Sequence, residues 1–112
     1  MLKSLDKEQI NCIESAHSAV QLLKGKWTYY VIIELLMNDI KRFNQLKSSL
    51  GNVNTKALTD TLRFLEGKGM LIRTVYPTVP ATVEYELTLK GKDFGRILQQ
   101  MKDWNDKWEI KE

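Results

Sequence analysis

The chain has a single cysteine, Cys12, and a single histidine, His17, in 112 residues. A lone cysteine forms no internal disulfide, and one Cys with one His leaves a structural zinc site two ligands short. Such cysteine usage fits a reducing, cytosolic compartment. Proline is as scarce: Pro77 and Pro80, both in one short link. No apolar run approaches the roughly 20 residues that a membrane span needs. The opening residues, MLKSLDKEQINC, lack the apolar stretch of a secretory signal. Gly-rich phosphate loops, a nucleophile elbow and a plausible catalytic triad are missing. So are internal repeats and low-complexity segments. These absences point away from an enzyme, a membrane protein and a metal-stapled domain, and no cofactor is expected. A chain of this length has room for one domain around one core.

What is present is charge in one place. Lys41 to Arg73, KRFNQLKSSLGNVNTKALTDTLRFLEGKGMLIR, holds seven basic residues (Lys41, Arg42, Lys47, Lys56, Arg63, Lys68, Arg73) against Asp60 and Glu66. Its balance of +5 exceeds the +3 of the whole chain. A duplex presents a dense line of phosphates to any protein that docks on it, so basic charge gathered on one segment is the electrostatic footprint of such a partner.

The pattern around that segment predicts mostly helices. Residues 4–24 carry Ile13, Ala16, Val20 and Leu23 on one helical face, and Gly25 is a stop signal. Trp27 to Met37 is apolar nearly all round, which suits a central helix. A short helix from about Phe43 to Leu50 has Phe43, Leu46 and Leu50 as its buried stripe, and Gly51-Asn52 turns the chain. Asn54 is a good N-cap for the next helix, with Val53 and Leu58 placed as a hydrophobic staple. Leu58, Leu62 and Leu65 then point inward. In Leu71–Tyr76 every other residue can face the core, and Val83, Tyr85 and Leu87 alternate with Glu84, Glu86 and Thr88. Residues 77–82 form the tip of that hairpin. Thr88 can cap a last helix over about 89–109. The order of elements is that of a winged helix-turn-helix: an α+β, mainly α fold with a two-stranded wing. The helix-turn-helix spans 43–66, the wing 71–88, and the whole chain 1–112 is one domain.

Specific residues carry a resemblance. They are Cys12, Leu23-Lys24-Gly25-Lys26-Trp27, Lys41-Arg42-Phe43-Asn44-Gln45-Leu46, Lys56-Ala57-Leu58-Thr59, Leu62-Arg63, Gly69-Met70-Leu71-Ile72-Arg73, Val75-Tyr76-Pro77-Thr78-Val79-Pro80, Val83-Glu84-Tyr85 and Leu87-Thr88. In this order and spacing, over roughly residues 12–104, the chain resembles the HxlR-type winged-helix transcription regulators, relatives of MarR proteins. Two positions depart from the family pattern: Ile13 follows Cys12 where proline is usual, and Ala81 stands where a second proline is usual. The resemblance implies a homodimer that binds operators near its own or neighbouring genes.

Under that reading the residues take roles. Thr55, Lys56, Thr59, Asp60 and Arg63 form the base-reading face of a recognition helix in the major groove. Asp60 repels phosphate, so it reads a cytosine amine or orients Arg63. Lys41, Arg42, Asn44, Gln45 and Lys47 surround the helix that crosses the backbone, and phosphate contact is their natural role. Arg73 and Thr78 add phosphate contacts from the hairpin, whose tip has no Lys or Arg. The last helix carries Phe94, Ile97, Leu98, Met101, Trp104 and Trp108. With Leu5, Ile10 and Ile13 these are read as the homodimer interface, because a domain this small cannot cover so much apolar surface alone. A dimer also sets two recognition helices about 34 Å apart on a palindromic site. In several relatives the residue matching Cys12 looks like a redox or electrophile sensor, and the resemblance makes Cys12 the candidate sensor here. The alternative is an inert, semi-buried thiol, since its neighbours Asn11, Ile13 and Glu14 supply no positive charge. No small-molecule effector is specified. The competing class is a winged-helix module that binds protein without specific DNA binding; the local +5 argues against it.

Overall fold

The first helix begins at a reciprocal cap. In the computed structural model, which describes residues 4–109, Asp6 Oδ1 accepts from the Gln9 N–H at 2.7 Å, and Gln9 Oε1 accepts from the Asp6 N–H at 3.0 Å. This satisfies two of the donors that every helix start leaves open. Helix α1 (Lys7–Gln21) is shorter at both ends than the span 4–24 expected for it. It ends four residues before Gly25, whose φ of 91° turns the chain toward the second helix.

Helix α2 (Thr28–Asn38) follows, then strand β1 (Ile40–Arg42), α3 (Phe43–Ser49), α4 (Thr55–Gly67), β2 (Leu71–Tyr76), β3 (Thr82–Leu87) and α5 (Leu89–Trp108). The sheet has three antiparallel strands in the order β1-β3-β2. The hairpin of β2 and β3 is the expected wing. Strand β1 is an addition: Lys41 pairs with Tyr85 and Arg42 with Glu84, which closes the free side of β3.

The core lies between α2, α3, α4, α5 and one face of the sheet. Val31, Ile32 and Leu35 come from α2, Leu46 from α3, Leu58, Leu62 and Leu65 from α4, Tyr85 and Leu87 from β3, and Phe94 and Leu98 from α5. Each fully buried aliphatic side chain of this kind contributes about 1.5–3 kcal/mol relative to exposure. The inward residues of α3, α4 and β3 are those expected from their spacing. Three expectations need correction. Helix α2 is not buried all round: Tyr29, Tyr30 and Met37 are exposed, because the sheet, α4 and α5 cover one side only. Strand β2 buries only Leu71: the next residues on the same face, Arg73 and Val75, are exposed as the edge strand leaves the core. Phe94 and Leu98, placed with the dimer interface, belong to the core, because they lie on the side of α5 turned toward α2.

The join between α4 and α5 is tight. Thr88 Oγ1 accepts from the Gly91 N–H at 3.1 Å, which caps α5, and donates to the Gly69 carbonyl at 2.6 Å. The Thr88 N–H donates to the Met70 carbonyl at 3.0 Å, and Lys90 Nζ to the Lys68 carbonyl at 2.6 Å. Gly91 packs so closely that a Cβ there would lie 2.1 Å from the Met70 oxygen.

Helix α1 stands apart. None of its residues is buried, and Ile13 and Val20 are exposed. A helix of 15 residues is marginal in water without packing. Helix α5 shows the same excess: Ile97, Met101, Trp104 and Trp108 are exposed, the two tryptophans by 66% and 65%. Ile97, Met101 and Trp104 line a shallow, mainly apolar groove with Gln100 and Asn105.

Candidate nucleic-acid interface

Helix α3, the turn and α4 are set by local chemistry. At the end of α3 the Gly51 N–H donates to the Ser48 carbonyl at 3.1 Å, and the Asn52 N–H to the Lys47 carbonyl at 2.9 Å. The reversal needs positive φ at both residues, 73° at Gly51 and 57° at Asn52, and Gly and Asn tolerate this best. Asn54 Oδ1 then accepts from the N–H groups of Lys56 (2.9 Å) and Ala57 (3.2 Å), so α4 starts where the sequence places its cap. Val53 and Leu58, the expected staple, are both buried in the core.

With Leu58, Leu62 and Leu65 inward, the opposite side of α4 faces out. Thr55, Lys56, Asp60 and Arg63 are exposed and Thr59 is half-buried. The five residues expected on one face are therefore together on one helix surface. Asp60, however, does not orient Arg63. Its carboxylate binds Lys56 Nζ at 2.8 Å, one turn back along the helix.

The expected phosphate contacts divide into two groups. Lys41 Nζ lies 3.6 Å from Glu34 Oε1 and 3.4 Å from Ser49 Oγ, tying α2 to α3. Arg42 Nε is 3.9 Å from Glu84 Oε2 across the sheet. Gln45 Oε1 accepts from the Arg42 N–H at 2.9 Å and so caps α3. Thr78 Oγ1 donates to the Pro80 carbonyl at 2.7 Å and lies 2.9 Å from Thr82 Oγ1, which braces the wing tip. These four residues have structural duties that the sequence did not disclose. Asn44 and Arg73 are exposed, Lys47 is half-buried, and neither Lys47 nor Arg73 has an ion-pair partner among the described residues.

Arg73 is not remote from α4. It pairs with Tyr85 in the sheet register, so it projects from the face of the sheet that meets the helices. There it lines, with Arg63, Thr59, Leu62, Glu66 and Tyr85, a concavity of about 310 Å³ between α4 and the root of the wing. A second concavity of about 430 Å³ separates the start of α3 from the wing tip, lined by Arg42, Asn44, Gln45 and residues 80–83. The tip itself presents Val79, fully exposed.

The N-terminal candidate, Cys12, is an exposed free thiol on α1. Ile13 is exposed beside it, and Leu5 and Ile10 are half-buried. No helix among the described residues is long and apolar enough to cross a membrane.

Comparison with known proteins agrees with this architecture. The uncharacterized HTH-type transcriptional regulator YvaP of Bacillus subtilis is 34% identical over 90 residues, covering 80% of this chain and 82% of the relative. The uncharacterized HTH-type transcriptional regulator sll1512 of Synechocystis is 37% identical over 102 residues, 87% of this chain and 75% of the relative. Among solved structures, the reduced form of the transcriptional regulator YodB from B. subtilis superposes with a TM-score of 0.71 at 34% identity, over 82% of this chain and 89% of that one. The redox regulator HypR in its oxidized form gives 0.74 at 31% identity, over 87% and 99%. The relatives are transcription regulators, a non-enzymatic class. The model of the HxlR-like helix-turn-helix family matches residues 22–112, and the chain belongs to that family.

Proposed function

We propose that the protein is a cytoplasmic regulator that binds a specific double-stranded operator as a homodimer. The observation that carries the reading is the outward face of α4. Thr55, Lys56, Thr59, Asp60 and Arg63 share one side of a helix that is capped at its start, held by three buried leucines and flanked by a wing. A helix so presented fits the major groove, with its N-terminal residues against base edges. Asn44, Lys47 and Arg73 are the free contacts for phosphate, while Lys41, Arg42, Gln45 and Thr78 act more through holding α3 and the wing. The apolar faces of α1 and α5, uncovered in one protomer, support a second copy as the partner that covers them. Ile10, Ile13, Ile97, Met101, Trp104 and Trp108 serve that interface, with Leu5 at its edge.

Fluorescence anisotropy on a duplex from the gene's own upstream region, against random duplex over a salt series, tests the reading. A preference of about 10³-fold or more with a steep salt slope is expected. No binding even at low salt would favour a winged-helix module that binds protein.

A redox response through Cys12 is a second reading. Two observations favour it: the thiol is exposed, and HypR, a similar structure, is a redox regulator. Oxidation to a disulfide or an adduct would occur on α1, within the proposed interface.

A further inference from the structure

The seven basic residues of the 41–73 segment are not equally available. Three are matched by acids: Lys41 by Glu34, Arg42 by Glu84 and Lys56 by Asp60. Lys68 Nζ lies over the Phe64 ring, 5.8 Å from its centroid, at the far end of α4. Lys47, on α3, has no ion-pair partner among the described residues. Arg63 and Arg73 remain, and they line one concavity from two different elements. Neither forms an ion pair within 4.0 Å among the described residues, although the Glu66 carboxylate is on the same rim. Asp60, the other acid near Arg63, is occupied by Lys56.

Two guanidinium groups that line one concavity with a single carboxylate, Glu66, leave its rim with an excess positive charge, which an anion completes. Guanidinium presents its N–H groups as a fork that matches the oxygens of phosphate. The site has the Thr59 hydroxyl beside it and buried Tyr85 beneath it. Its place is also telling. Arg63 is eight residues beyond Thr55, about 12 Å further along the helix axis. That distance carries it from the start of α4, where bases are read, toward the root of the wing.

We propose that Arg63 and Arg73 form a clamp for one phosphate group of the duplex backbone, a site that presupposes the DNA-binding reading. Arg63 then grips backbone jointly with Arg73, and sequence is read by Thr55, Lys56, Thr59 and Asp60. The clamp joins wing and recognition helix through the DNA, which fixes the angle at which α4 enters the groove.

The test uses the full chain on random-sequence and upstream duplex, and its random-duplex arm does not require the operator. Arg63→Ala and Arg73→Ala are each expected to weaken binding about tenfold, equally on random and upstream duplex. The double variant should lose little more than either single one. Its salt slope should fall by about 0.9, the value for one phosphate. Arg63→Lys should keep the slope and recover only part of the affinity, because the charge stays and the fork is lost. Both arginines are exposed, and unchanged thermal melting of the variants checks that the fold is intact. Loss on the upstream duplex alone for Arg63→Ala would make it a base reader and overturn the clamp. Fully multiplicative losses, with a slope change of about 0.9 from each arginine, would assign two separate phosphates and overturn it as well. Wild-type binding that the double variant leaves intact would remove the clamp and keep the DNA-binding reading. Inorganic phosphate at constant ionic strength is the second arm. Wild type that binds neither duplex, yet is stabilised by inorganic phosphate through both arginines, would keep the anion site and remove the DNA-binding reading.

Discussion

Lys56 Nζ sits 2.8 Å from Asp60 Oδ2, one helical turn apart on the outward side of α4, and both side chains are largely exposed. An exposed pair of this kind contributes little to stability, about 0.3–0.5 kcal/mol on a helix. Its consequence is electrostatic. Asp60 holds the ammonium nearest the start of α4 and opposes phosphate with its own charge. Asp60→Asn should therefore leave the melting temperature nearly unchanged and raise affinity for random duplex several-fold, with a salt slope steeper by about one phosphate contact. Preference for the operator should fall. Anisotropy on both duplexes measures this, and an unchanged ratio would show that Asp60 plays no part in discrimination.

Gly91 has no room for a side chain. A Cβ placed 2.1 Å from the Met70 oxygen and 3.1 Å from Leu87 Cδ2 meets backbone on one side and core on the other. Gly91→Ala should destabilise the protein by about 1–3 kcal/mol or more, read from urea unfolding. Gly67, at the end of α4, has nothing among the described residues within 4 Å of its would-be Cβ. Gly67→Ala should be neutral or stabilising, by up to about 1 kcal/mol. Equal melts for the two variants would contradict the packing described at Gly91.

Trp104 is exposed on α5 beside Ile97 and Met101. Trp104→Glu adds a charge to that groove and leaves the protomer core, which lies on the side of Phe94 and Leu98, untouched. Light scattering after gel filtration should give a dimer for the wild type and a monomer for the variant. A dimer in both would move the interface off this groove.

Cys12→Ser should retain operator affinity under reducing conditions and lose any change in affinity on treatment with diamide. If the variant still responds to diamide, the thiol is not the sensor, since it is the only one in the chain.

The sequence was most legible where one signal was strong and local. The inward leucines of α4, the Asn54 cap, the Gly51-Asn52 turn and the Thr88 cap follow from periodicity and side-chain chemistry, and all are in the structure. Strand β1 escaped because three residues are too few for a period, and its pairing partner lies more than 40 residues away. The duties of Lys41, Gln45 and Thr78 escaped for a related reason. Their residue types suit phosphate, and only the fold shows that Glu34, the Arg42 N–H and the Pro80 carbonyl occupy them. Phe94 and Leu98 read alike with Trp104 and Trp108 in the sequence because a broad apolar helix carries two faces; which one meets its own core is a tertiary fact. That Arg63 and Arg73 line one concavity depends on the register of β2 against β3, which turns Arg73 to the face of the sheet that meets α4.

The clasp around Thr88 makes α4 and α5 a lever with a shared fulcrum. The carbonyls of Lys68, Gly69 and Met70, at the exit of α4, all accept from residues 88–90 at the entry of α5. Helix α5 is 20 residues long, an arm of about 30 Å. Were its Trp108 end tilted, three hydrogen bonds and the Gly91 contact would be the direct link to the exit of α4. Leverage of this kind would let an event at the distant end of one helix retune the angle of the other, without unfolding either.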